Sequence, residues 1–260
     1  MIYKNKTALI TGASSGIGLA YAEEFAKRGS DLILVARRED ELKALATKIA
    51  GYSSVKVTVI PMDLATLEAG EKLFEKVSKL GLEVDFLVNN AGFGTQTRIE
   101  NESRSKAQKQ IVLNVVTLVD LTLAFLKPMI DRNSGAIINI ASTASYQPVP
   151  GMAVYAATKA FVRSFTTAVW GEVYKTGVRI LAVSPGATKT EFFDVAGSKA
   201  ATPMAPVENV IKTTFKALDG KKTKPQVIDG GRNSLLAKVS NLLPDSLVAK
   251  VAASMFLPKQ

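Results

Sequence analysis

The chain of 260 residues contains no histidine and no cysteine. A histidine-based catalytic triad, a thiol nucleophile and a Cys/His zinc site are therefore excluded, and no metal site is expected. The lack of cysteine also rules out a disulfide framework. Acid–base chemistry near neutral pH is left to carboxylates, lysine or a tuned tyrosine. Long apolar runs are missing too. The closest stretch, 111–130, is broken by Asn114, Asp120, Lys127 and Pro128, against the ~20 apolar residues of a membrane span. The opening MIYKNKTALITG has neither the apolar stretch nor the small-residue cleavage site of a signal peptide. A cytoplasmic location is the expectation. The 33 Lys and Arg against 23 Asp and Glu leave a net charge of +10. They are scattered, with no run of five and no interleaved aromatics, so no nucleic-acid partner is expected. A basic surface that attracts anionic ligands accounts for the charge.

What is present suits a buried core: 47% of the residues are hydrophobic. Short apolar runs predict strands at Thr7–Ile10, Leu32–Val35, Val55–Ile60, Phe86–Val88, Ala136–Ile140, Arg179–Val183 and Gln226–Ile228. Most are continuous, not alternating, as in parallel strands covered on both faces. Helical patterns fall between them, at about Ile17–Arg28, Arg38–Ala50, Thr66–Lys79, Ser103–Leu126, Val154–Lys175 and Pro206–Leu218. This alternation predicts βαβ units in an α/β, Rossmann-type, doubly wound parallel sheet of about seven strands. No linker or repeat divides the chain, so one domain over 1–230 with a helical extension over 231–260 is expected.

The first predicted strand runs into TGASSGIG, which places Gly12, Gly16 and Gly18 at a strand-to-helix turn. Without Cβ atoms there, backbone and a pyrophosphate approach closely at a helix N-terminus. The spacing is GxxxGxG, not GxGxxG. The second strand ends in Arg37 and Arg38, where a site for NAD would carry an acidic residue for the ribose 2′-hydroxyl. Arginine pairs with a 2′-phosphate through charge-assisted bonds, so NADP(H) is the expected cofactor. Tyr155 and Lys159 lie four apart, on one helix face one turn from each other. A phenol beside a fixed ammonium is a proton-transfer device.

TGASSGIG, the Asn-Asn-Ala-Gly run 89–92, Asn114, Ser142, the Tyr-Ala-Ala-Thr-Lys run 155–159 and Pro185-Gly186 occur in that order. Together they resemble the short-chain dehydrogenase/reductases, over about residues 5–230. Arg37, Arg38 and the stretch 185–192 are similar to their NADP-dependent branch. The resemblance implies Tyr155 as general acid for carbonyl reduction and base for alcohol oxidation. A tyrosine normally titrates near ~10, and a lysine ammonium ~4 Å away at an effective dielectric near 20 contributes ~4 kcal/mol, roughly three pKa units downward. Lys159 is thus expected to bring Tyr155 into the working range and to hold the nicotinamide ribose. Ser142 would hydrogen-bond the substrate oxygen, and Asn114 would hold a relay water. Ser14, Ser15, Ile17 and Leu64 would belong to the cofactor site, with Asp63 accepting from the adenine amino group. Asn90, Ala91 and Gly92 would line the ribose. Pro185, Gly186, Thr188 and Thr190 would pass the nicotinamide and phosphates.

A substrate wall over Phe93, Thr143, Tyr146, Pro148, Val149, Pro150, Met152, Phe192 and Phe193 carries no fixed charge. It implies a small-molecule carbonyl or alcohol of apolar character. The segment Lys189–Pro206 would close over it. Beyond Arg232 two short helices split at Pro244 are expected, with Leu247, Val248, Val251, Ala252 and Met255 at helical spacing. They are read as packing on the chain's own core or on a sister subunit. Contact with a membrane surface or a lipid-like substrate is the alternative, and the tail is expected to cover the apolar pocket. The family resemblance implies a homodimer or homotetramer through the helices holding Asn114 and Tyr155. A cofactor-sensing protein without turnover is the competing functional reading, since a fold does not establish activity.

Overall fold

The computed structural model describes residues 1–198, 200, 203–240 and 242–257. Lys259 and positions 199, 201 and 202 of the expected closing segment lie outside the described residues. Seven parallel strands form one sheet in the order β3-β2-β1-β4-β5-β6-β7. They are β1 (Thr7–Thr11), β2 (Asp31–Ala36), β3 (Val57–Pro61), β4 (Phe86–Asn89), β5 (Gly135–Ile140), β6 (Val178–Ser184) and β7 (Gln226–Ile228). In β4 and β5 every residue is buried. The continuous apolar runs therefore mark strands covered on both faces, where each buried Leu or Ile contributes about 1.5–3 kcal/mol.

Helices α1 (Gly16–Lys27), α2 (Glu39–Ala50), α3 (Ala69–Lys79), α4 (Arg104–Ile111), α5 (Thr117–Asp131), α6 (Ala153–Val173), α7 (Phe192–Val195) and α8 (Val207–Leu218) follow the strands. Two core layers result. One packs Tyr21, Phe25 and Phe215 against one sheet face. The other packs Leu73, Leu121, Phe125 and Val169 against the opposite face. The order reverses between β1 and β4, so the crevice at their carboxyl ends is the ligand-binding position of such a sheet.

Two local features differ from the expectation. The predicted helix 103–126 is α4 and α5 joined by a π-helical turn, Val112–Val116, around Asn114. π-Turns admit one extra residue and redirect a side chain. The combined helix Arg104–Asp131 is also long and apolar enough to cross a membrane by length and composition, contrary to the reading of that stretch as too interrupted. Here Leu118, Leu121, Phe125 and Met129 are buried in the core.

The tail forms α9 (Gly231–Ser240) and α10 (Asp245–Phe256). It packs on this same chain: the Ser240 hydroxyl lies 3.3 Å from the Tyr146 carbonyl, and Gln96 Nε2 donates to the Phe256 carbonyl at 2.6 Å.

Candidate active site

The carboxyl ends of β1, β4, β5 and β6 open into one cavity of about 990 Å³. At β1, Gly12 (φ +66°) and Gly16 (φ +55°) take the left-handed backbone that only glycine adopts without strain. A Cβ on Gly18 would run into the Gly12 carbonyl, so Gly18 serves close packing of helix on strand and does not line the cavity. Thr11 ties the turn down. Its hydroxyl donates to the Val88 carbonyl at 3.2 Å and accepts from the Asn90 and Ala91 amides at 2.9 and 3.0 Å. Asn90 Nδ2 donates to the Thr11 carbonyl at 2.9 Å. Asn90 thus also braces the glycine turn, and Thr11 is a positioning residue that the motif reading passed over.

The expected cofactor positions Gly12, Ser14, Ser15, Gly16, Ile17, Arg37, Arg38, Asp63, Leu64, Asn90, Ala91 and Gly92 all line this cavity. Pro185, Gly186, Thr188 and Thr190 do so from β6 and the segment after it. Asp63 Oδ1 accepts from the Ala65 amide at 3.0 Å, so it also closes a local turn. The Thr188 hydroxyl donates to the Gly186 carbonyl at 2.9 Å, which leaves its lone pairs to accept. A glycine cradle at a helix N-terminus, with two exposed arginines at the end of β2, fits a dinucleotide with an additional phosphate.

Ser142 follows β5, and Tyr155 and Lys159 sit on consecutive turns of α6. All three line the cavity. Ser142 Oγ accepts from the Ala144 amide at 3.1 Å. The Phe192 ring packs on Tyr155 at 5.1 Å between centroids. Burial pushes the Tyr155 phenol up to about 12, with the Ser142 hydrogen bond opposing. Burial pulls the Lys159 ammonium down to about 8. Lys159 Nζ donates to the Ile140 carbonyl at 2.6 Å and stands 5.8 Å from the Tyr155 ring centroid. The expected lowering of Tyr155 by Lys159 is thus not seen in this arrangement: desolvation of the phenol is the largest effect, and the Ser142 hydroxyl is what opposes it.

Asn114 does not line the cavity. From the π-turn, its Nδ2 donates to the Phe93 carbonyl at 3.0 Å and to the Thr158 hydroxyl at 3.1 Å, and Oδ1 accepts from the Phe93 amide at 3.2 Å. A Cβ on Gly92 would lie 2.9 Å from Asn114 Oδ1 and 3.5 Å from Lys159 Nζ, so both face the small space beside Gly92.

Of the expected substrate wall, Phe93, Thr143, Tyr146, Val149, Met152, Phe192 and Phe193 line the cavity, while Pro148 and Pro150 do not. The far wall comes from the tail. Leu236 and Val239 of α9 and Leu247, Val251 and Met255 of α10 face the cavity. Phe256 packs with Val149, Met152 and Tyr155. The helical spacing of Leu247, Val248, Val251, Ala252 and Met255, and a tail that covers an apolar pocket, were expected from the sequence; the part played by Leu236, Val239 and Phe256 was not.

The model of the short chain dehydrogenase family matches residues 6–201. The very-long-chain 3-oxoacyl-CoA reductase of Bos taurus is 31% identical over 94% of this chain and 78% of its own length. The NADP-dependent 3-hydroxy acid dehydrogenase of Schizosaccharomyces pombe is 35% identical over 72% of this chain and 73% of its own. A short-chain dehydrogenase from Sphingobium yanoikuyae, solved in complex with NADPH, superposes with a TM-score of 0.81 at 32% identity, covering 91% of this chain and 94% of that one. With the glycine turn, the Ser142-Tyr155-Lys159 group and the sheet order in one crevice, the chain belongs to the short-chain dehydrogenase family.

Proposed function

We propose that the protein is an NADP(H)-dependent oxidoreductase acting on the carbonyl or secondary alcohol of a hydrophobic substrate, with Tyr155 as general acid and base. The observation that carries this reading is the convergence of Ser142, Tyr155 and Lys159 on one cavity, whose near end is the glycine turn and whose far wall is apolar. Bound NADP(H) supplies or accepts the hydride. In reduction, the Tyr155 phenol protonates the substrate oxygen while the Ser142 hydroxyl stabilises the developing alkoxide. Lys159, charged below about 8, stabilises the tyrosinate left behind. Asn114 holds the Phe93 backbone in place, and the space it shares with Lys159 is where the phenol's proton is restored. Arg37 and Arg38 hold the 2′-phosphate. The relatives named for an NADP-dependent and a very-long-chain reaction support the cofactor and the apolar substrate.

NADPH consumption across ketones of rising chain length tests this reading; no turnover with any apolar carbonyl overturns it. Val251→Asp places a charge on the tail wall at a half-exposed position. It should raise KM for long-chain ketones by about tenfold, while a small ketone is reduced as before. An equal loss for both substrates would separate the tail from substrate binding.

Oligomer formation is proposed through α5 and α6, whose outer faces expose Leu123 and Phe161. Phe161 stacks on Phe165 at 5.7 Å. Sedimentation should show a dimer or tetramer that Leu123→Asp dissociates; a wild-type monomer rejects this surface.

A further inference from the structure

The two arginines at the end of β2 differ. Arg37 is exposed and has no ion pair among the described residues. Arg38 is engaged. Its Nη2 donates to Glu191 Oε2 at 3.0 Å, and its Nε and Nη2 lie 3.3 and 3.2 Å from Ser14 Oγ. Arg38, with a smaller contribution from the Ser15 hydroxyl, holds the Glu191 carboxyl below its ordinary range.

Glu191 comes from the segment after β6, far from β2 in sequence. Thr190 beside it packs its methyl on Gly16, and Phe192 on its other side packs on Tyr155. An anionic side chain therefore rests on Arg38, which also contacts Ser14, at the mouth of the glycine turn. These are the donors that a phosphate monoester at the adenosine ribose would use.

We infer that Glu191 is a stand-in for the cofactor 2′-phosphate and sets how strongly NADP(H) is preferred over NAD(H). The inference rests on the NADP(H) reading above. Glu191 neutralises Arg38, and a 2′-phosphate competes with it for the same guanidinium. NADH has no group for that exchange and leaves the pair intact. The same displacement frees the segment that carries Phe192 against Tyr155, so occupancy of the phosphate site reaches the catalytic phenol.

Removing the carboxylate while keeping its shape tests this. Glu191 and Arg38 side chains are 55% and 46% exposed, so Glu191→Gln should fold normally and the effect should be modest. In calorimetric titrations, Glu191→Gln should bind NADPH about two- to fivefold more tightly, with NADH affinity unchanged. The gain should vanish in the Arg38→Gln background. Equal tightening for both cofactors overturns the inference, as does any weakening of NADPH, which would make Glu191 a clamp over bound cofactor. An unchanged NADPH-to-NADH ratio also overturns it. Failure of the cofactor reading is seen separately: wild-type protein would then bind NADH as well as NADPH.

Discussion

Tyr155→Phe should retain NADPH binding within a few-fold and lose about 10³–10⁴-fold in kcat, the contribution of a well-placed general acid. The substitution deletes one oxygen from a buried ring and leaves the packing of Phe192 and Ala156 around it. Ser142, Lys159 and the glycine turn stay in place, so cofactor affinity and chemistry should separate cleanly. Single-turnover kinetics with a reactive ketone, alongside a cofactor titration, measure both. Retained turnover would end the assignment of Tyr155 as the acid and favour a protein that binds cofactor without using this phenol.

The pH dependence follows from the same burial. With Tyr155 held at about 12, the phenol is protonated through the neutral range, so carbonyl reduction should be flat there with respect to this group. Alcohol oxidation needs the tyrosinate, and its kcat/KM should rise close to tenfold per pH unit on the acid side. Stability moves in two windows. The Lys159 pKa falls on folding from 10.5 to about 8, so the unfolded chain binds more protons between those values and stability rises with pH there. The Tyr155 pKa rises from 10.0 to about 12, so stability falls as pH climbs through that window. Urea unfolding of wild type and Lys159→Met across pH 7–10 isolates the lysine contribution: the rise should be absent in the variant.

Arg37→Asp should reduce the NADPH-to-NADH ratio of kcat/KM by about 10²-fold. The change removes a charge-assisted hydrogen bond of about 1.5–3 kcal/mol and adds repulsion toward the 2′-phosphate. Arg37 is exposed, so folding should be unaffected. The acidic side chain can accept a hydrogen bond from a ribose 2′-hydroxyl, and NADH turnover should hold or rise. A ratio that barely moves would remove Arg37 from the cofactor site and leave Arg38, with its Glu191 partner, as the phosphate reader.

Much of the scaffold was legible because its signals are local. A run such as Leu32–Val35 has one stable home, a strand covered on both sides. Gly12 and Gly16 declare a left-handed turn before any fold is known, and Tyr155 and Lys159 share a face on any helix that contains them. Asn114 shows where local reading stops. Its sequence surroundings are those of an ordinary apolar helix. The π-turn exists because the amide can then reach Phe93 and Thr158, residues 21 and 44 positions away.

The sequence by itself determined the strand-helix alternation, the glycine turn, the chemistry left available without histidine and cysteine, and the arginine pair at the end of β2. The tertiary structure decided the rest. It set the titration of Tyr155 and Lys159, because desolvation depends on what surrounds a group and not on its neighbours in the chain. It placed Glu191 on Arg38 across 153 residues. It also selected which tail side chains form the cavity wall, Leu236 and Val239 among them, because which residues of an apolar helix face meet a pocket depends on how the helix is docked.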